Sequence, residues 1–269
     1  MRDPFPFLEQ IIKVYPPGQF LPDDLDTPQG YRSGRFPDPL AGDISLTVHH
    51  GGGPNPAGDP LDEPESPWWQ KLAVSFGRVT GVLRSWHAYH RSKGWQAIAY
   101  CAAIDPRMGR VYRLRGYRRN AGQWGGINAE TMATVFVLGY PQYPTRAAWR
   151  ALGLIWLAMT GPEVKGHRDW NDDPRTQSPT SCPGPDIWQG LHAGRHVEAL
   201  GRLRYRTVPM RGVAVRAATL RLTELGYLAR KQRRYLRNVA NAVEQFQSAH
   251  GLVVDGIVGP VTWKALAKG

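Results

Sequence analysis

Lys165-Gly-His-Arg-Asp-Trp-Asn-Asp-Asp-Pro-Arg-Thr-Gln-Ser-Pro-Thr-Ser-Cys-Pro-Gly184 is a polar, turn-rich stretch carrying His167 and Cys182 with fourteen residues between them. Two soft ligands on one loop need a third, and the best upstream candidate lies in Thr47-Val-His-His-Gly-Gly-Gly53. There the apolar run Ile44 to Val48 reads as a buried strand that delivers His49 or His50 at its end. His, His and Cys leave the fourth position of a tetrahedral zinc open, which is how a catalytic site differs from a closed structural one.

Outward from these two segments, strand and helix signals alternate. Leu72, Phe76, Val79, Leu83 and Trp86 recur at intervals of 4, 3, 4 and 3, one face of a long helix. Ser66-Pro67 supplies its cap and first-turn proline, and it ends near Gly94. Ala97-Ile-Ala-Tyr-Cys-Ala-Ala-Ile104 is a continuous apolar run of strand length. A turn at Asp105-Pro-Arg-Met-Gly109 leads into Arg110-Val-Tyr-Arg-Leu-Arg115, so a hairpin is predicted. Met132 to Leu138 reads as a central strand, and Thr145 caps a helix with Trp149, Leu152, Ile155, Trp156 and Met159 on one face. Interleaved strands and amphipathic helices predict an α/β layer fold over residues 44–200, a mixed central β-sheet flanked by helices. Residues 1–43, rich in Pro, Gly and Asp apart from a short apolar patch around Leu8, Ile11, Ile12 and Val14, are expected to form an irregular arm wrapped on the core. Gly51-Gly-Gly53 lacks the GK[ST] ending and following helix of a phosphate loop and reads as a flexible connection.

From about residue 201 the composition changes. Val215, Leu222 and Leu225 line one helix stopped at Gly226, and Leu236, Val239, Val243 and Phe246 line a second stopped at Gly251. Pro260 opens a third with Trp263 and Leu266, giving a small three-helix domain over residues 209–269. The net charge is +12, and residues 201–269 hold 13 Lys/Arg against 3 Asp/Glu, so they carry +10 of it. That asymmetry points to a polyanionic partner, with an anionic cell envelope or nucleic acid as the alternatives. No apolar run approaches the roughly 20 residues that would span a bilayer. Pro4, Pro6 and Glu9 interrupt the opening segment, which therefore does not read as a secretory signal. Cys101 and Cys182 could form one disulfide, but a chain of this size does not need one.

Zinc on two neutral imidazoles and one thiolate keeps a net charge of +1, which lowers the pKa of its water toward about 7. A carbonyl under attack becomes an oxyanion and needs donors aimed at it. Tyr100, in the apolar run, and Thr180, two residues before Cys182, supply candidate hydroxyls. Asp169 could orient a ligand from behind. His87, His90, His192, His196 and His250 sit in helical or basic contexts and read as structural.

Val48-His-His50, Gly94-Trp-Gln-Ala-Ile-Ala-Tyr100, Gly109-Arg-Val-Tyr-Arg-Leu-Arg115, Gly166-His-Arg-Asp169 and Thr180-Ser-Cys-Pro-Gly184 occur in that order. Together they resemble the zinc-dependent N-acetylmuramoyl-L-alanine amidases of the amidase-2 family, relatives of the peptidoglycan recognition proteins. The resemblance spans roughly residues 41–195. It selects His49 over His50 and implies Zn2+ on His49, His167 and Cys182, with Tyr100 and Thr180 as catalytic residues. Gly51 stands where the family usually has a small hydroxyl residue, and Cys101 where it has a His after the tyrosine.

Asn241-Ala-Val-Glu-Gln-Phe-Gln-Ser-Ala-His-Gly-Leu-Val-Val-Asp-Gly-Ile-Val-Gly-Pro-Val-Thr-Trp263 is similar to the helical peptidoglycan-binding domain. Between Gly226 and Val239, Arg230, Lys231, Arg233, Arg234 and Arg237 replace a usually acidic or neutral turn. The two resemblances imply a hydrolase that cuts the amide between N-acetylmuramic acid and L-alanine while its basic domain holds the cell wall. A phage endolysin, made in the host cytoplasm and reaching the wall at lysis, has this make-up. The competing readings are a peptidoglycan recognition protein that does not cut and, behind it, a basic nucleic-acid-binding protein.

Overall fold

The computed structural model describes residues 3–16, 45–51, 68–95, 97–115, 130–138, 143–176 and 179–269. A helical turn, α1 (Phe5–Leu8), and a short strand, β1 (Val14–Tyr15), precede β2 (Ser45–His50) and the long helix α2 (Trp68–Ser92). The hairpin β3 (Ala102–Ile104) and β4 (Val111–Arg113), then β5 (Thr131–Phe136), α3 (Arg146–Ala158) and β6 (Val164–Gly166) complete the sheet layer. The strand order is β1-β4-β3-β5-β2-β6. Only the β3–β4 pair is antiparallel; β1–β4, β3–β5, β5–β2 and β2–β6 are parallel, so the sheet is mixed as the sequence predicts.

Helices cover both faces. Val79 and Leu83 of α2 join Ala103, Tyr112 and Val135 in one core. On the other face, Leu46, Val48, Ile104 and Phe136 meet Trp149, Leu152 and Ile155 of α3. This double cover explains why all six residues of β5 are buried. Helix α3 is apolar nearly all round, with ten of its thirteen residues buried, because it lies under the sheet on one side and against α1 and the C-terminal helices on the other. Thr145 caps it as expected, its Oγ1 accepting the Ala148 N–H.

The apolar patch of the arm lies on the core: Phe5, Phe7, Leu8 and Ile11 are buried against α3, with Ile12 and Val14 packed beside them. Within it the arm is not irregular throughout, since Phe5–Leu8 forms a helical turn and Val14–Tyr15 an edge strand parallel to β4. A second expectation is corrected. The apolar run Ala97–Ile104 is a strand only over its last three residues. Arg115 explains the difference, because its Nη2 and Nε donate to the carbonyls of Ala97 and Ile98, the former at 2.7 Å, while the Ala99 N–H donates to His90 Nδ1 at 3.2 Å. Side chains thus take backbone groups that a ladder would have used. The Ser66-Pro67 cap and the Gly52–Pro60 loop lie outside the described residues.

After β6, α4 (Pro185–His192) and α5 (Arg195–Glu198) form a bridge, and the sequence beyond residue 201 forms α6 (Val213–Glu224), α7 (Arg237–Ala249) and α8 (Pro260–Lys268). Trp263 is fully buried and its Nε1 donates to the Gly201 carbonyl at 2.8 Å. Gln247 fixes the Asp255-Gly256 turn by accepting both backbone N–H groups at 3.0 and 2.9 Å. Among the described residues no helix is long and apolar enough to cross a membrane.

Candidate metal centre

Strand β2 lies between β5 and β6, with Val48 opposite Gly166. His49 and His167 each follow one member of that pair, so two parallel strands deliver both imidazoles at neighbouring C-terminal ends. Alternation decides which histidine of the pair turns inward. Leu46 and Val48 enter the α3 core, which puts Thr47 and His49 on the opposite face, beside Val135. His49 is 3% exposed and its ring centroid lies 4.5 Å from that of His167.

Cys182 arrives on the loop after β6 and is tied down at several points. Its carbonyl accepts the Arg168 N–H at 2.7 Å, and its own N–H donates to Thr180 Oγ1 at 3.1 Å. The Asn171 side chain brackets Thr180, accepting its N–H at 3.0 Å and donating to its carbonyl at 2.9 Å. Gly166 makes the approach possible: a Cβ there would lie 2.8 Å from Pro183 Cδ and 3.1 Å from Trp188 Cδ1. Asp169 secures the other side, accepting the Gly166 N–H at 2.8 Å and His192 Nε2 at 3.1 Å on Oδ2, and the Trp188 indole on Oδ1. It therefore steadies His167 through the backbone that precedes it.

One ligand atom from each of His49, His167 and Cys182 lies within 4.8 Å of the others. Cys182 Sγ is 3.8 Å from His49 Nδ1. Ligand atoms about 2.0–2.3 Å from a tetrahedral zinc sit about 3.4–3.7 Å apart, so the spacing fits. His49 Nε2 is buried and has no hydrogen-bond partner among the described residues, an arrangement that costs about 1–3 kcal/mol unless something else engages the ring.

Electrostatics agree with a cation site. Burial holds His49 well below the usual histidine range, reinforced by His167 and His50, and burial brings His167 down to about 4. Both rings are neutral at pH 7, the form that ligates a metal. Burial pushes the Cys182 thiol up to about 12, against a small opposing effect of the His50 N–H that points at its sulfur at 3.4 Å. A cation bound between the three side chains would bring the thiol back down toward neutral pH.

Tyr100 packs against the centre, its ring 5.2 Å from His49, 5.9 Å from Trp86 and 6.1 Å from His90. Burial, then the nearby Cys182, raises its phenol pKa, so it stays a hydrogen-bond donor. Gly51 leaves room for Trp86, whose Cζ2 would lie 2.4 Å from a Cβ at that position. Cys101 is buried in the core and is not disulfide-bonded to Cys182. His90, which reads as structural in the sequence, braces the Tyr100 segment by accepting the Ala99 N–H and stacks on Trp95 at 4.8 Å.

Residues 211–266 match the family model described as "Putative peptidoglycan binding domain". No curated protein matches the chain. Among solved structures, wild-type PGRP-LB of Drosophila is similar at 16% identity and a TM-score of 0.45, covering 68% of this chain and 95% of that one. The Drosophila peptidoglycan recognition protein SD is similar at 16% identity and 0.48, covering 67% and 94%. The endolysin N-acetylmuramoyl-L-alanine amidase LysCS from Clostridium intestinale is similar at 18% identity and 0.41, covering 68% and 95%.

Proposed function

We propose that this protein is a zinc-dependent peptidoglycan amidase that hydrolyses the bond between N-acetylmuramic acid and the L-alanine of the stem peptide. The observation that carries the reading is the convergence of His49, His167 and Cys182 within 4.8 Å, in a chain whose residues 211–266 match a peptidoglycan-binding model. The donor set, two neutral imidazoles and a thiol, suits Zn2+. Bound there, zinc supplies Lewis acidity for the carbonyl and hydroxide at neutral pH.

The chain's own residues do the rest. Tyr100, protonated and beside His49, donates to the oxyanion as the carbonyl is attacked. Thr180 Oγ1 accepts the Cys182 N–H, which leaves its hydroxyl proton to donate, so it both shapes the ligand loop and contributes to the same charge. Asp169 and Asn171 keep the ligand loop in register. The C-terminal domain holds the protein on an insoluble substrate, raising the local concentration of cleavable bonds. Recognition without cleavage is the competing reading, and Cys182 at 3.8 Å from His49 favours cleavage, since it completes a metal-ligand set that binding alone does not use.

Digestion of purified peptidoglycan, with mass spectrometry of the new ends and a chelated control, tests the proposal. New L-alanine amino termini that disappear with chelator are expected. New reducing sugar ends, or intact peptidoglycan with bound protein, refute it.

A further inference from the structure

Among the described residues, a concentration of positive charge lies on two adjoining segments of the C-terminal domain. Arg211 bridges Arg234 as an isolated antiparallel pair, and the Tyr235 N–H donates to the Met210 carbonyl at 2.9 Å, so residues 204–211 and 233–237 run side by side. They carry Arg204, Arg206, Arg211, Arg233, Arg234 and Arg237, all exposed. Among the described residues none of the six has a carboxylate partner. The acids of the domain are engaged elsewhere or few: Glu224 pairs with Arg221 at 3.1 Å, and Asp255 caps the turn at Ile257. Six like charges held together without a counter-charge repel one another, a cost that an anionic partner removes.

Arginine rather than lysine fills all six positions. The guanidinium fork matches phosphate oxygens two at a time, so phosphate is the group best suited to the face. The neighbouring exposed side chains say what carries the phosphate. Val208 is 81% exposed and Leu236 37% exposed on the same two segments. A single-stranded nucleic acid would call for open aromatic platforms. The only exposed aromatic here, Tyr205, has the Arg237 guanidinium over its ring at 4.2 Å. Aliphatic side chains standing among arginines suit a lipid headgroup layer, where the cations meet phosphates and the methyl groups enter the acyl boundary.

We infer that this arginine face is a second binding surface, directed at the phosphate-bearing anionic headgroups of a lipid bilayer. It rests on the wall-directed reading above and adds a partner to it: the module meets peptidoglycan and the membrane that adjoins it. Arginines held at such a surface each contribute about fivefold in affinity, so removing three predicts about a hundredfold loss.

The test is co-sedimentation of the full chain with vesicles of phosphatidylglycerol and phosphatidylcholine in equal parts, against vesicles of phosphatidylcholine alone. Binding is expected only to the anionic vesicles, weakened steeply by salt. The triple variant Arg233→Gln, Arg234→Gln, Arg237→Gln should need about a hundredfold more lipid, and the corresponding triple Lys variant only a few-fold more. Val208→Ser should weaken the binding that survives at high salt. Equal binding to both vesicle types, unchanged binding by the Gln variant, or tighter retention by single-stranded DNA than by anionic vesicles would overturn the inference. Unfolding midpoints confirm that each variant is folded. Amide cleavage of soluble muropeptides by the same preparations separates the outcomes: vesicle binding without cleavage sinks only the amidase proposal, and cleavage without vesicle binding sinks only this one.

Discussion

Replacing Gly166 by Ala tests whether the metal-ligand loop is held by steric register. The backbone at this position is ordinary, with φ −76°, so alanine meets no conformational penalty and the whole effect is one of space. Its Cβ would lie 2.8 Å from Pro183 Cδ, whereas carbon atoms settle at about 3.5–4.0 Å. Pro183 must therefore retreat by roughly 0.7 Å or more, and Trp188, at 3.1 Å, closes the nearest sideways escape. Cys182 is bonded directly to Pro183, and metal ligands tolerate about 0.2 Å of misplacement. Overpacking of this kind costs about 1–3 kcal/mol, and zinc affinity should fall about 10–100-fold, as for loss of a supporting contact. Competition with a chromophoric zinc chelator at pH 7.5 measures the affinity, and urea unfolding of the zinc-free protein measures the stability. Gly81→Ala is the control, since no atom lies within 4 Å of its Cβ inside α2, and it should gain about 0.5–1 kcal/mol without touching zinc. Wild-type zinc affinity in Gly166→Ala would refute the claim that this close approach positions the sulfur.

Further expectations follow from the same contacts. Zinc uptake at pH 6 should release about one proton, because both histidines are already neutral, a zinc-bound water with a pKa of about 7 keeps its proton, and Cys182, pushed up to about 12, still holds its own; titration in buffers of different ionisation enthalpy counts it, and a count near zero would remove Cys182 from the ligand set. Asp169→Ala should cost about 1–3 kcal/mol and weaken zinc binding, since the Gly166 N–H and the Trp188 indole lose their acceptor; equal midpoints in urea would contradict this. His196, 6% exposed against Trp156, has its pKa lowered to about 4 by burial and by Lys264. A histidine depressed in the folded state contributes stability that is complete above its unfolded value near 6.5 and is lost as pH falls toward 4, here about 3 kcal/mol at most. Denaturant midpoints at pH 4.5 and 7 should therefore converge in His196→Phe relative to the parent, and an identical acid loss in both proteins would assign the titration elsewhere.

Much of this architecture is legible in the chain because single residues carry unambiguous instructions. Thr145 and Gly161-Pro162 bracket α3, the Asp105–Gly109 turn makes the hairpin, and Gly226, Gly251 and Pro260 punctuate the C-terminal helices. The ligand types His, His and Cys are legible in the sequence, but the residues alone leave His49 and His50 open and the family resemblance selects His49; the pairing of Val48 with Gly166 that brings His49 beside His167 joins distant segments and has no local signal. What escaped depends on partners distant in sequence. Ala97–Tyr100 has strand composition, yet Arg115 and His90 claim its backbone groups, and no periodicity reveals that. The helical turn Phe5–Leu8 and the edge strand Val14–Tyr15 are likewise set by α3 and β4, far along the chain.

The C-terminal domain is joined to the sheet layer by packing rather than by a free tether. Leu203 pairs with Val258 through two backbone hydrogen bonds, at 3.0 and 2.9 Å, so the connection enters the domain it leads to. Arg221, 5% exposed, donates from Nε to the Leu266 carbonyl at 2.7 Å at the end of α8, and Ala267 beside it lies close to Gly161 at the end of α3. Trp156, Met159, Val258 and Trp263 belong to one continuous apolar cluster. A flexible linker would raise local concentration and leave orientation free. A shared core fixes orientation as well, so on the proposed reading the direction from which a wall strand reaches Tyr100 and the His49–His167–Cys182 centre is set when the C-terminal domain binds.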